Sequence, residues 1–369
     1  MAKKRASDFT LMIAVILLVF IGIIMVFSSS WPDGLYRMND GYYFLKKQLI
    51  ASGLGLFAML FFMNFDYWKL EKLAKLIFIV SIITGLLIFT PLGMEAKGAR
   101  RWIDLGFTTF MPSDAIKLGS IIYFSYFLAK RKDNVKKFFK GFIPSLIIIG
   151  ISCGLILLQK DLGTSATVGL TLFILLFIAG ANVFHLSFLA ILGAIGGFIA
   201  IIGEEFRMKR IMAFLDPFAA EVRDNAGWQA IQSLFALGSG GLFGLGLGKS
   251  RQKFFYIPEP QNDFIFAIIG EELGFLGCVT VMLLLLLIIW RGIRTALSTK
   301  DLFGCYLASG IVALITVQSL IHIAVVTSSM PTTGITLPFI SFGGTSLMMY
   351  MGAAGILLNI SRHTELDRS

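Results

Sequence analysis

Apolar runs of roughly 20 residues recur along the whole chain, the length needed to cross a bilayer as a helix. Ten runs predict ten helical spans, at about residues 9–28, 48–64, 76–92, 114–129, 141–158, 164–180, 185–203, 263–290, 302–326 and 344–361. A membrane β-barrel would instead alternate apolar and polar positions in segments of about 10 residues, and this chain does not. The pattern therefore predicts an all-α, polytopic membrane protein forming one domain over residues 1–369. The first run follows Lys3, Lys4 and Arg5 as a signal peptide would. It is too long for such a segment and lacks a small-x-small cleavage site, so it reads as a retained anchor.

One polar stretch, residues 204–262, is much longer than an ordinary connection. Within it, "GWQAIQSLFAL" puts Trp228, Ile231 and Phe235 on one face and Gln229, Gln232 and Ser233 on another. This predicts a short helix lying in the membrane interface. "GSGGLFGLGLG" follows, with six glycines in eleven residues.

Charge orients the chain. An even number of spans puts both termini on one side, and the lysine- and arginine-rich loop "KRKDNVKK" marks that side as cytoplasmic. The short segments 29–47, 93–113 and 327–343 and the long loop 204–262 then face outward. The net charge of +10 reflects basic loops against anionic membrane lipid rather than nucleic-acid binding. With 56% hydrophobic and 15% charged residues, a soluble domain is excluded. The three cysteines lie in apolar runs and the three histidines are far apart, which argues against a disulfide framework, a zinc site or a Ser-His-Asp triad.

Several polar groups sit where lipid makes them costly. Asp263 stands at the entry to the eighth span, where Asn262 or Asp263 would suit a helix N-cap and an aspartate beside a phosphate site would suit a general base. Glu271 and Glu272 lie about two turns further on and must face protein or water, be paired, or be protonated. In "MPSDAIK", Pro112 and Ser113 open a helix and Asp114 and Lys117 share a face, as a capped helix end or as the lining of a cavity. In "LQKDLGTS", Asp161 belongs to a tight turn at the same end. Arg100 and Arg101, Arg207, Lys209 and Arg210, and Lys249, Arg251 and Lys253 form basic clusters on the outward loops, where they bind lipid phosphate, pair with acids or hold a substrate diphosphate. "GLGLGKS" is not a nucleotide-binding P-loop, because Phe243 occupies the position of the required first glycine. Its glycines serve close backbone packing or form a floor for a head group.

Taken in order, "GARRWI", "PSDAIKL", "DLG", "RIMAFLDP", the stretch from Gln232 to Gly274, and "PTTGITLPFISFGGTSL" with Ser341 resemble the SEDS proteins of shape, elongation, division and sporulation. The likeness spans about residues 9–361 and is closer to the FtsW and SpoVE branch than to RodA. The resemblance implies a peptidoglycan glycosyltransferase of the bacterial cytoplasmic membrane, polymerising lipid II on the outer face. It also implies a class B penicillin-binding protein as partner, alongside other wall-synthesis proteins. It assigns the catalytic aspartate to Asp263, an acid–lysine pair to Asp114 and Lys117, and a further aspartate to Asp161. Asp114, Lys160, Asn262 and His322 stand where the family usually has glutamate, proline, threonine and asparagine.

The chemistry needs one base, because a diphosphate leaves without a general acid. Arg100, Arg207, Arg210, Lys249, Lys253 and Lys117 are the cations expected to hold it, with a divalent ion, Mg or Mn, as an optional cofactor of unassigned site and with no nucleotide. Gln232, Glu271, Glu272 and Ser341 are expected to line or support the cavity, with Asp114 and Asp161. A lipid II flippase and a scaffold that recruits wall synthases are the alternatives.

Overall fold

The structure is a computed structural model describing residues 7–96, 99–104, 109–219, 222–225 and 227–364. Lys3, Lys4 and Arg5, which precede the first apolar run, lie outside the described residues.

Twelve α-helices are formed among those residues: α1 (Phe9–Met38), α2 (Tyr43–Asn64), α3 (Tyr67–Leu87), α4 (Pro112–Lys130), α5 (Ile143–Leu158), α6 (Leu162–Ile178), α7 (Val183–Ile202), α8 (Glu205–Leu215), α9 (Trp228–Gly240), α10 (Ile265–Leu297), α11 (Leu302–Val326) and α12 (Gly344–Ser361). Each predicted span falls on one of these helices. Six helices among the described residues are long and apolar enough to cross a membrane. Local chemistry sets many of the starts. Asp8, Asp66, Asp161, Asn182 and Asp301 each cap a helix by accepting a backbone N–H from its first turn. Helix α11 is largely enclosed by its neighbours, whereas α7 buries little beyond Leu186 and Leu189.

Away from the glycine-rich segment, one end of the bundle is closed by buried polar pairs. Asp8 accepts from Arg291 at 2.6 Å, Tyr67 donates to Asp301, and the Asn359 amide donates to the Met63 carbonyl at 2.9 Å. The long loops gather at the opposite end.

Three features depart from the sequence reading. First, the segment after α3 folds into a small antiparallel sheet, β1 (Gly93–Ala96), β2 (Ala99–Asp104) and β3 (Thr109–Phe110), in the order β1-β2-β3. Second, the faces of α9 are not those expected. Gln232 and Ser233 are buried, with the Ser233 hydroxyl donating to the Val326 carbonyl at 2.7 Å, while Phe235 is exposed. Ile231 is buried beside them, so the inward face of α9 is mixed and its polar groups are satisfied by the protein interior.

Third, the eighth span is broken. Gly274 has φ 68° and ψ −166°, so a half-helix, residues 265–273, precedes the longer part of α10. The glycine-rich turn after α9 fills the break. Leu245 and Gly246 donate to the carbonyls of Glu271 and Glu272 at 2.9 and 3.0 Å, and Phe275 and Leu276 donate to those of Gly241 and Leu242 at 2.8 and 3.2 Å. Every freed backbone group in this set is therefore paired, as non-helical backbone inside a membrane protein requires. The approach is too close for side chains. A Cβ on Gly240 would lie 1.9 Å from the Gly270 carbonyl, and one on Gly244, which has φ +79°, 2.2 Å from that of Glu272. Gly240→Ala and Gly244→Ala should each destabilise the protein by about 1–3 kcal/mol. Thermal unfolding in detergent measures this, and melting curves unchanged by both substitutions would contradict the packing described.

Candidate active site

Asp263 lies one residue before the N-cap of α10. The helix opens at Ile265 with Phe264 at the N-cap and no side-chain cap, so neither Asp263 nor Asn262 caps it. Asn262 instead donates to the Glu259 carboxylate at 3.1 Å. The chain is fixed on both sides of the aspartate: Phe342 N–H donates to the Gln261 carbonyl at 2.9 Å, and Phe264 is fully buried. Asp263 itself is half-buried. Gly334 lies close by: an added Cβ there would be 3.6 Å from Asp263 Oδ2.

Arg210, on α8, brings cationic charge to this point. Its Nη1 donates to the Thr332 carbonyl at 2.8 Å, and its guanidinium stands over the Phe206 ring at 4.2 Å. Burial pushes its pKa down from the ordinary value, and the charge of Asp263 opposes that effect. Arg101, Arg207 and Asp161 lie within electrostatic range of the same guanidinium. Arg207 is one turn earlier on α8 and donates to the Ala200 carbonyl at 2.6 Å.

Strand β2 decides which of its two arginines joins the group. Successive side chains on a strand point to opposite faces. Arg100 is exposed and pairs with Glu95 at 3.3 Å. Arg101 instead reaches the Lys160 carbonyl at 2.5 Å, beside Asp161. Of the two arginines, Arg101 is therefore the one placed near Asp161 and Arg210.

Asp161 is buried and caps α6, accepting from Thr164 N–H at 3.0 Å and Thr164 Oγ1 at 2.9 Å. It also lies within electrostatic range of Lys117. Lys117 and Asp114 form a buried ion pair at 2.7 Å on the first turns of α4. Thr345 donates to the other Asp114 oxygen at 3.0 Å. The Gln318 side chain accepts from Lys117 at 3.5 Å and from Tyr350.

The remaining predicted site residues do other work. Glu272 accepts from Ser28 Oγ at 2.6 Å, Gly248 N–H at 3.0 Å, Ser250 N–H at 3.2 Å and Lys253 Nζ at 2.8 Å. Glu271 accepts from Ser250 Oγ and from Arg251 N–H, the latter at 2.8 Å. Lys253 is buried, with its ammonium shared among Glu272, Ser28 and the Gly248 carbonyl. This network stitches the glycine-rich turn to α10 and α1. It leaves Lys253 engaged with protein groups rather than presented to a diphosphate. Lys249 is exposed on that turn, and Ser341 closes a local turn by accepting from Leu337 N–H at 2.8 Å. Gln232 is buried on α9.

Sequence reasoning missed Arg101 as the inward arginine, and it missed Gln318, Thr345 and Tyr350. A signal existed for the second of these: "VQSLIHI" carries Gln318 and His322 one turn apart on an otherwise apolar helix.

Asp263, Arg101, Arg207, Arg210 and Asp161, with the Asp114–Lys117 pair beyond them, make a polar site at one end of a multi-pass helical membrane protein. The chain belongs to the cell cycle protein family FTSW_RODA_SPOVE, whose model matches residues 9–366. It is 44% identical to stage V sporulation protein E of Bacillus subtilis (strain 168), over 98% of this chain and 99% of that one. It is 41% identical to "Probable peptidoglycan glycosyltransferase FtsW" of Geobacter sp. (strain M18), over 98% of each chain. Among solved structures, a chain described under "Structural coordination of polymerization and crosslinking by a peptidoglycan synthase complex" superposes with a TM-score of 0.80 at 25% identity, covering 98% of this chain and 99% of that one.

Proposed function

We propose that this protein is a peptidoglycan glycosyltransferase that polymerises lipid II, with Asp263 as general base. The observation that carries the reading is the half-buried Asp263 in the electrostatic neighbourhood of Arg210, with Gly334 close to its carboxylate. In the reaction, the 4-hydroxyl of one sugar attacks C1 of another. The hydroxyl proton passes to the Asp263 carboxylate as the new C–O bond forms. The bond from C1 to the lipid diphosphate breaks, and the diphosphate leaves with the electron pair. A single displacement inverts the sugar from α to β.

Arg210, Arg207 and Arg101 hold the diphosphate and stabilise the charge that develops on it. Lys117, paired with Asp114 at 2.7 Å, marks the deeper wall, with Asp161 between it and the arginines. Lys249 meets lipid phosphate at the mouth. Among the described residues there is no cluster of three or more His, Cys, Asp or Glu side chains suited to a metal. A divalent ion, Mg or Mn, carried by the substrate diphosphate is compatible with this lining. When bound, it would neutralise leaving-group charge.

The positive-inside distribution supports ten spans with both termini cytoplasmic, and hence a site on the outer face of the bacterial cytoplasmic membrane. The structural likeness to a chain of a peptidoglycan synthase complex supports a class B penicillin-binding protein as partner, within a larger wall-synthesis assembly.

The purified protein, combined with its partner and given lipid II in detergent, should make glycan strands. Failure of the wild-type pair to do so would move weight to a flippase or a scaffold. In the same assay Arg210→Gln should lower kcat/KM on the order of 10–100-fold, the loss of a charged hydrogen bond worth about 1.5–3 kcal/mol. Undiminished kcat/KM in that variant would remove Arg210 from the diphosphate site.

A further inference from the structure

Residues 331–337 form neither helix nor strand, yet three carbonyls in this segment are each held by a side chain from elsewhere. Thr332 O accepts from Arg210 Nη1 at 2.8 Å, Ile335 O from His322 Nδ1 at 2.8 Å, and Thr336 O from Gln318 Nε2 at 2.9 Å. Gly334 lies in the middle of this strap, exposed, with φ +76°. A Cβ added there would lie 3.6 Å from Asp263 Oδ2, so this part of the strap runs beside the aspartate.

Two of the three anchors come from α11, the most enclosed helix. Gln318 and His322 are four residues apart and share a face. Both are buried. Because a carbonyl oxygen only accepts, the proton of His322 sits on Nδ1. Its Nε2 then carries a bare lone pair with no partner among the described residues. A buried polar side chain with half its capacity unmet is costly, and helix packing alone would be served better by leucine. Gln318 spans two sites: its Nε2 holds the strap, while its Oε1 accepts from Lys117 and Tyr350. Ile335 also packs against the start of α6, where a Cβ on Gly163 would lie 3.1 Å from it, close to the cap made by Asp161.

We propose that His322 and Gln318 are positioning residues for the transfer reaction. They hold the 332–336 strap as the wall against which Asp263 is oriented, and Gln318 sets the spacing between that wall and the Asp114–Lys117 pair. Neither touches the reacting atoms. The proposal rests on the reading of Asp263 as the base, because orientation matters to rate only if the oriented group takes part in the reaction.

The test uses the full-length protein with its partner and lipid II, with kcat and KM measured separately and the melting temperature recorded. His322→Leu should lower kcat on the order of 10–100-fold, with KM within about twofold of wild type, as expected when a reacting group is misplaced but substrate binding is intact. His322→Asn should restore kcat, because the asparagine Nδ2 occupies the place of the imidazole Nδ1 and can donate to Ile335 O. His322→Gln should not, because its amide reaches the place of Nε2. A structural role alone would not separate these two amides by kcat at equal melting temperature.

The proposal is overturned if His322→Leu turns over at the wild-type kcat, or if His322→Asn is no better than His322→Leu. Should His322→Leu fail to fold, Gln318→Met, which keeps the volume and removes the donor, decides by the same split of kcat from KM. Asp263→Asn in the same assay keeps the two readings apart. If it is active, the base assignment falls. If it is inactive while His322→Leu is normal, only the positioning role falls.

Discussion

Asp263→Asn is expected to lower glycan polymerisation by about 10²–10⁴-fold, with little change in thermal stability. The asparagine keeps the shape of the side chain but cannot take the hydroxyl proton. The local backbone does not depend on this side chain: Phe264, not Asp263, occupies the N-cap, and the segment is held by the Phe342-to-Gln261 hydrogen bond and by burial of Phe264. Asp263→Ala should behave alike. Asp263→Glu should recover only part of the activity, since the extra methylene moves the carboxylate by more than an ångström from the position the reaction requires. The measurement is the rate of strand formation from lipid II alongside a melting curve for each variant. Strands made at the wild-type rate by both the asparagine and alanine variants would sink the general-base assignment.

Lys253→Met is expected to cost about 3–5 kcal/mol of stability, the penalty for leaving one partner of a buried ion pair uncompensated. The pair is at 2.8 Å with both side chains almost wholly buried. Glu272 would retain Ser28 and the N–H groups of Gly248 and Ser250 but would lose its only paired cation in this network. Glu272→Gln should also destabilise, because it leaves the Lys253 ammonium buried beside a neutral amide. Thermal unfolding in detergent reads the stability, and KM for lipid II, measured per folded molecule, reads the function. Here KM should stay near wild type. A raised KM at unchanged stability would return Lys253 to the diphosphate site and contradict the structural role given to it.

These expectations show where the chain could be read from its sequence. Helix positions were legible because apolar run length is a local feature; the caps at Asp8, Asp66, Asp161, Asn182 and Asp301 are local too but were not read as caps, and the cap expected at Asn262 or Asp263 falls on Phe264. The Asp114–Lys117 pair was legible for the same reason, being three residues apart on one helix. Glu271 and Glu272 were legible as charges in need of partners, but not which partners. Those lie about twenty residues back, in the glycine-rich turn, and on α1 at Ser28. The break at Gly274 was hidden too, because a glycine within an apolar run breaks a helix only if other backbone groups arrive to pair with the freed ones.

Apolar run length and the charges set within it are enough to specify a multi-pass helical protein and a small set of polar residues that lipid would not tolerate unpaired, Asp263 among them. Their division of labour arises only once the helices and loops are packed together. That packing turned Arg101 rather than Arg100 toward Asp161, enclosed Lys253 with Glu272, and laid the 332–336 strap from α11 beside Asp263. The physical reason is one of range. Burial demands that each charge and each backbone group find a partner, but which partner is available depends on chain segments that only the fold brings together.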